Sequence, residues 1–222
     1  MTNNSVATTG RVLWAGLRAL LVLTVITGVL YPLAVTAVAQ VAFPAKADGS
    51  EIEDASGRVV GSALIGQTYL TDGKPDPRWF QPRPSDGLGT NSVNTRYALL
   101  LSGATNLSGD SARLIQSVED AKTAVIRDNS VPGHPVRPSD VPPDAVTSSG
   151  SGLDPHISPA YAKLQVHRVA ARNHLPVDRV ARLVADHTDG RVLGFIGEPR
   201  VNVLRLNIAL RELVAEGAAA SG

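Results

Sequence analysis

Four side chains with hydrolytic chemistry crowd one short stretch: Ser149, Ser151, Asp154 and His156 all fall within "SGSGLDPHISPAYA", residues 149–162. Hydroxyl, imidazole and carboxylate are the parts of a nucleophilic triad, in which the base takes the hydroxyl proton and the acid orients the base. Such groups usually arrive from separate elements of a fold. Asp154 precedes Pro155, which drives it toward extended geometry, so these neighbours are expected to diverge. Ser158 followed by Pro159 predicts the N-cap and first position of a helix. The stretch therefore reads as a shaped loop and a capped helix start, and no catalytic residue is assigned. A membrane-tethered extracytoplasmic hydrolase using Ser151 or Asp154 is the alternative.

The other chemistry-bearing residues are weaker signals. The five histidines, His134, His156, His167, His174 and His187, show no His-Glu-x-x-His pattern, and a metal site needs three or four converging ligands. His167 and His174 lie seven apart, but the second falls at a helix end, so no metal site is expected. There is no cysteine, which removes thiolate chemistry and disulfides. "LSGATNLSGD", residues 101–110, resembles a phosphate-cradling loop but lacks the Gly-Lys-Ser/Thr of a P-loop. Turn chemistry before a helix explains it better. "RVAARNHLPVDRVARLV", residues 168–184, has a helix-turn-helix rhythm with Arg179 and Arg182 as possible base readers. Charge argues against that. Of 21 Lys and Arg and 20 Asp and Glu, only Arg11 and Arg18 precede residue 44. The remainder is one charge on the acidic side of neutral, no footprint for nucleic acid.

These residues must be positioned by elements, and the first is hydrophobic. "ALLVLTVITGVLYPLAVTAVAQV", residues 19–41, carries no formal charge and is long enough to cross a ~30 Å hydrocarbon core. Ala37-Val38-Ala39 resembles a signal-peptidase site, yet the run exceeds a signal h-region of about 7–15 residues, so a retained anchor is expected. Arg11 and Arg18 lie before the span, and Asp48, Glu51, Glu53 and Asp54 after it. The positive-inside rule then puts residues 1–18 in the cytoplasm and the main domain outside. Pro32 should kink the span by removing a backbone hydrogen bond.

Residues 44–216 read as an α+β extracytoplasmic domain with a frayed tail at 217–222. Residues 57–100 are rich in Gly and Pro; short strands are expected near Val59-Val60, Tyr69-Leu70 and Trp79-Phe80, confined to edges by the prolines around them. A helix is predicted from Asp110, with Leu114, Ile115, Val118, Val125 and Ile126 at helical spacing. Asp128 to Pro159 holds seven prolines and reads as a long loop. The next helix, Pro159 to Asn173, should bury Ala162, Val166, Val169 and Ala170, with Lys163, His167, Arg168 and Arg172 facing away and Gln165 on the flank. Another, Val177 to Asp186, should bury Val177, Val180, Ala181 and Val184. "RVLGFIG", residues 191–197, suits a short strand. The last helix should bury Val203, Leu206, Leu210, Leu213 and Val214.

Six stretches carry a resemblance in chain order: "YPLAVTAVAQ", "GSALIGQ", "WFQPRPS", "LSGATNLSGDS", "SSGSGLDPHISPAYAKLQVHRVA" and "FIGEPRVNVLRLNIAL". Together they resemble the C-subunit family of the Kdp potassium-importing P-type ATPase. The resemblance implies a non-catalytic, single-pass subunit of the inner (plasma) membrane. Its partners would be a channel-like potassium-binding subunit, an ATPase subunit that hydrolyses ATP, a very small hydrophobic subunit and membrane lipid. It also implies a role in raising the ATP affinity of the ATPase subunit. The charge asymmetry places the domain across the membrane from ATP, so any such effect is expected to be indirect. Gln165 and Arg168 are candidate functional polar contacts, with plain solvent exposure the alternative. Ser151, Asp154 and His156 are a candidate partner-contact loop.

Overall fold

The computed structural model describes residues 3–85 and 102–220. Leu101, where the expected turn begins, and the 86–100 part of the Gly- and Pro-rich stretch lie outside them. The chain divides after Ser50 into two compact units.

The first unit is helical. α1 runs Asn3–Val25, a π-helical turn occupies Ile26–Leu30, α2 runs Tyr31–Ala42, and a short α3 covers Pro44–Ala47. The helix thus begins well before residue 19, so residues 3–18 continue the span's own helix. Its stretch Ala7–Ala42 is long and apolar enough to cross a membrane, with large side chains such as Leu20, Leu23 and Leu33 exposed. The π turn ends two residues before Pro32. Proline has no N–H to give the Gly28 carbonyl, and its ring crowds that carbonyl. The helix widens there instead: the Tyr31 N–H donates to Ile26, five residues back, and the Thr27 hydroxyl donates to the Leu23 carbonyl at 2.7 Å. At the other end Phe43 leaves helical geometry at φ −143°, and Pro44 opens α3 at its first turn.

The second unit packs four helices beside small antiparallel sheets. β1 (Glu51–Glu53) pairs with β2 (Val59–Ser62), and β3 (Leu70–Thr71) with β4 (Lys74–Pro75). After α4 (Ala112–Asn129) come β5 (His156–Ile157), α5 (Pro159–Arg172), α6 (Val177–Asp186), β6 (Thr188–Asp189), β7 (Arg200–Asn202) and α7 (Val203–Ala220). The larger sheet has the order β5-β7-β6, antiparallel throughout, with Ile157 and Thr188 both opposite Val201. The core joins Ala162, Val166, Val169 and Ala170 of α5 to Val180 and Val184 of α6 and to Leu206 and Leu210 of α7. Burying each of these Val and Leu side chains contributes about 1.5–3 kcal/mol.

Several expectations need correction. Arg168 is buried, not facing away. Val177 and Ala181 are exposed, because a ten-residue helix needs only a narrow stripe, Val180 and Val184, against its neighbours. Residues 191–197 form a tight turn closed by a single bridge, Val192 to Ile196, since Gly194 and Gly197 at φ 82° and 80° break an extended run. Trp79 and Phe80 belong to no strand. α7 runs through Gly217 to Ala220.

Candidate functional site

The segment from Pro77 to Ser85, "PRWFQPRPS", crosses the domain without a sheet partner. Its prolines cannot donate to a ladder, yet buried backbone N–H and C=O groups still need partners. Side chains of α5 and α7 supply them. Asn207 accepts from the Phe80 N–H at 2.9 Å and donates through Nδ2 to the Phe80 carbonyl at 2.9 Å. Gln165 repeats the arrangement on Gln81: Oε1 accepts from the N–H at 2.7 Å, and Nε2 donates to the carbonyl at 3.1 Å. Each carboxamide reproduces the two-bond ring that one strand residue offers another. Asn173 adds a bond to the Arg78 carbonyl at 2.8 Å. Phe80, wholly buried, then plugs the core.

Arg168 completes the clamp. It donates to the Pro77 carbonyl, to the Trp79 carbonyl at 2.9 Å, to Gln165 Oε1 at 2.7 Å and to Asn129 Oδ1 at 2.9 Å. All four acceptors are neutral oxygens. Burial pulls its pKa down to about 10, which leaves it charged at neutral pH. A buried cation with this many bonds organises its neighbours, and removing it takes a donor from each acceptor, while Gln165 Oε1 keeps the Gln81 N–H.

The same segment reaches the loop at 147–158. Arg83 donates to Asp154 Oδ2 at 3.2 Å and to the Thr147 and Ser148 carbonyls at 3.2 and 3.3 Å. Asp154 Oδ1 accepts from the His156 N–H at 2.9 Å and lies 3.4 Å from His156 Nδ1. The His156 side chain, its backbone N–H and Arg83 together hold the Asp154 carboxyl below the usual carboxylate range. Ser151 turns the other way. Its hydroxyl accepts from the Leu153 N–H at 3.1 Å and meets the Ser149 hydroxyl at 3.4 Å. Its carbonyl accepts from Gly103 N–H at 2.8 Å and the Ser102 hydroxyl at 3.1 Å. Gly152 sits at φ 67°, and a Cβ there would meet the Gly103 carbonyl at 2.9 Å. Among the described residues, no hydrogen bond joins Ser149 or Ser151 to His156. The nucleophile and base of a triad are not assembled.

The helix start is as expected: Ser158 Oγ accepts from the Tyr161 N–H at 3.0 Å, with Pro159 at the first position. Asp144 buttresses this cap, accepting from the Ser158 N–H at 2.6 Å and its hydroxyl at 2.8 Å. Gln165 meets Arg168, and Asp154 meets His156, so the candidates form two clusters joined by residues 81–83. Pro32 belongs to the separate helical unit. Sequence reasoning missed Asn207, Gln81, Arg83 and Asn129. The prolines of "WFQPRPS" were the available sign, because an extended segment barred from a sheet must find side-chain partners. Elsewhere His134 stacks on His167 at 3.5 Å between ring centroids. No group of three or more metal-ligating side chains occurs among the described residues.

Comparison with known proteins agrees across both units. The family described as "K+-transporting ATPase, c chain" (KdpC) matches residues 13–212. The "Potassium-transporting ATPase KdpC subunit" of Streptomyces coelicolor is 69% identical, with 97% of this chain and 99% of the relative covered. The protein of that name from Kineococcus radiotolerans is 50% identical over 88% and 91% of the two chains. Its Mycobacterium tuberculosis counterpart is 45% identical over 91% and 99%. The chain belongs to this family.

Proposed function

From that membership we propose that the chain is the single-span accessory subunit of a potassium-importing pump, assembling with and stabilising its channel-like subunit. The observation that carries this is the family match across residues 13–212, which takes in the anchor helix and the domain together. The physical picture agrees with it. An apolar helix exposed on every side calls for lipid and neighbouring membrane helices. The domain is organised around a clamped, proline-rich segment, and that rigidity suits a docking body. Arg11 and Arg18 ahead of the span favour a cytoplasmic N-terminus and a domain outside. ATP would be hydrolysed by a partner chain. Any influence of this subunit on ATP affinity would act by favouring one conformation of the assembled pump, which requires different contacts with its two states.

The test is purification of the full chain from membranes in mild detergent together with the other pump subunits. It should co-isolate with larger membrane chains, and leaving it out should lower potassium-stimulated ATPase activity. A chain that always purifies alone, and whose omission leaves activity unchanged, would sink the reading.

A further inference from the structure

The turn between β6 and β7 exposes what a soluble surface normally hides. Val192, Leu193, Phe195 and Ile196 are 59%, 79%, 73% and 49% exposed, and they form one contiguous apolar tip. The tip is braced by its own backbone. Val192 and Ile196 exchange hydrogen bonds of 2.9 and 3.0 Å, and the Gly194 and Phe195 N–H groups close onto Arg191 and Val192 at 3.1 and 3.3 Å. Arg191 and Glu198 tie its base at 3.1 Å. Leu193 holds φ 54°, a left-handed conformation in which a side chain is strained and glycine or asparagine is the easy choice. With Leu193 so exposed, burial within the domain does little to offset that strain. Strain kept at an exposed apolar residue points outward, to something the residue touches.

We propose that this tip is a preformed knob that inserts into an apolar, charge-neutral pocket on a larger membrane subunit of the same pump. The inference rests on the reading of the chain as a pump subunit. Charge decides between such a pocket and a lipid surface. Arg191 is paired with Glu198, and Asp189 stands opposite Arg200 in the ladder, so the base of the tip carries no net positive charge. Loops that settle on lipid offer Lys and Arg to anionic headgroups, and this one does not. Phe and Leu at the centre of a neutral polar rim are arranged as a protein interface is. A tip already held in shape loses little freedom on docking.

The chain has no cysteine, so Phe195→Cys gives a unique attachment point. In membranes holding the assembled pump, a photo-crosslinker at 195 should join this chain to a second protein. A fluorophore at the same site should resist quenching by brominated lipid. Quenching by lipid without any protein crosslink would overturn the proposal in favour of a membrane contact. Phe195→Asp and Leu193→Gly should each reduce co-isolation of the other subunits by about tenfold or more. Leu193→Gly should do so while leaving the thermal midpoint of the purified chain unchanged or raised, because it relieves left-handed strain. Co-isolation at the wild-type level in both variants would overturn the knob and leave the subunit reading standing. If the wild-type chain itself fails to co-isolate, the subunit reading falls and the knob with it.

Discussion

At the scale of residues, two carboxamides take the place of a β-strand. Gln165→Ala removes both bonds to Gln81 and the one from Arg168, leaving buried donors and an acceptor unmet. Each stranded group costs about 1–3 kcal/mol, so a loss of about 3 kcal/mol or more is expected in urea unfolding of the purified chain. A change under about 0.5 kcal/mol, the range of ordinary surface substitutions, would show that the clamp is not structural. Asp76 gives the pH counterpart. It accepts from Arg78 Nη2 at 2.7 Å, from the Arg78 N–H at 3.0 Å and from the Thr71 hydroxyl at 2.9 Å. The Arg78 guanidinium foremost holds its carboxyl down to about 2. The folded state therefore prefers the carboxylate, so this stabilisation is complete above the ordinary pKa of 3.8 and disappears as pH falls through about 2. Solvent screens the pair, because Arg78 is 58% exposed while Asp76 is 5% exposed. Asp76→Asn should thus cost about 1–2 kcal/mol at pH 7. Its penalty relative to wild type should shrink toward nothing in acid, and a pH-independent gap would contradict the cause given.

At the scale of elements, the long helix tolerates Pro32 by widening into the π turn at Ile26–Leu30. Val29 lies within that turn, in the middle of the span. Val29→Arg places a charge where insertion scales assign about 2.5–3.5 kcal/mol, so it should reduce retention after alkaline extraction and lower the yield of assembled complex. Wild-type retention and yield would remove the anchor from the functional account. The helices were legible in the sequence because 3.6-residue periodicity is a local property. On α5 the buried set Ala162, Val166, Val169 and Ala170 came out as read. Arg168 did not, because a long cation on a helix is assigned to solvent by residue type alone. Its acceptors at Pro77 and Trp79 lie about ninety residues away. The same distance hid Asn207, whose partner Phe80 is 127 residues back. Residues 191–197 looked like a strand by composition, and positive φ at Leu193 and Gly194 made a turn of them. The Ser158 cap was legible because it is local; its brace on Asp144, fourteen residues upstream, was not.

At the scale of the whole molecule, the proposed effect on ATP use has to be reconciled with the charges on the domain. A triphosphate needs a cradle of cations or backbone N–H groups. The chain has no Gly-Lys-Ser/Thr loop, and several of its guanidinium groups are committed to carboxylates. Arg58 and Arg211 face Asp54, Arg78 faces Asp76, Arg83 faces Asp154, Arg127 faces Asp128 and Arg137 faces Asp140. Arg168 is enclosed by carbonyl and amide oxygens of its own domain. A nucleotide drawing on these guanidinium groups would have to break their pairs. A domain outside the membrane, the orientation proposed from the flanking charges, would not meet cytoplasmic ATP at all. Calorimetric titration of ATP into the purified full chain is therefore expected to give no micromolar binding. In the assembled pump, omitting this subunit should weaken apparent ATP affinity, because a contact that favours one pump conformation changes the population able to bind nucleotide. Protease added outside right-side-out vesicles should remove the region after Phe43 from the same preparation, which ties the two measurements together. Tight ATP binding by the chain alone, or full protection of its domain in those vesicles, would replace the indirect account with a direct one.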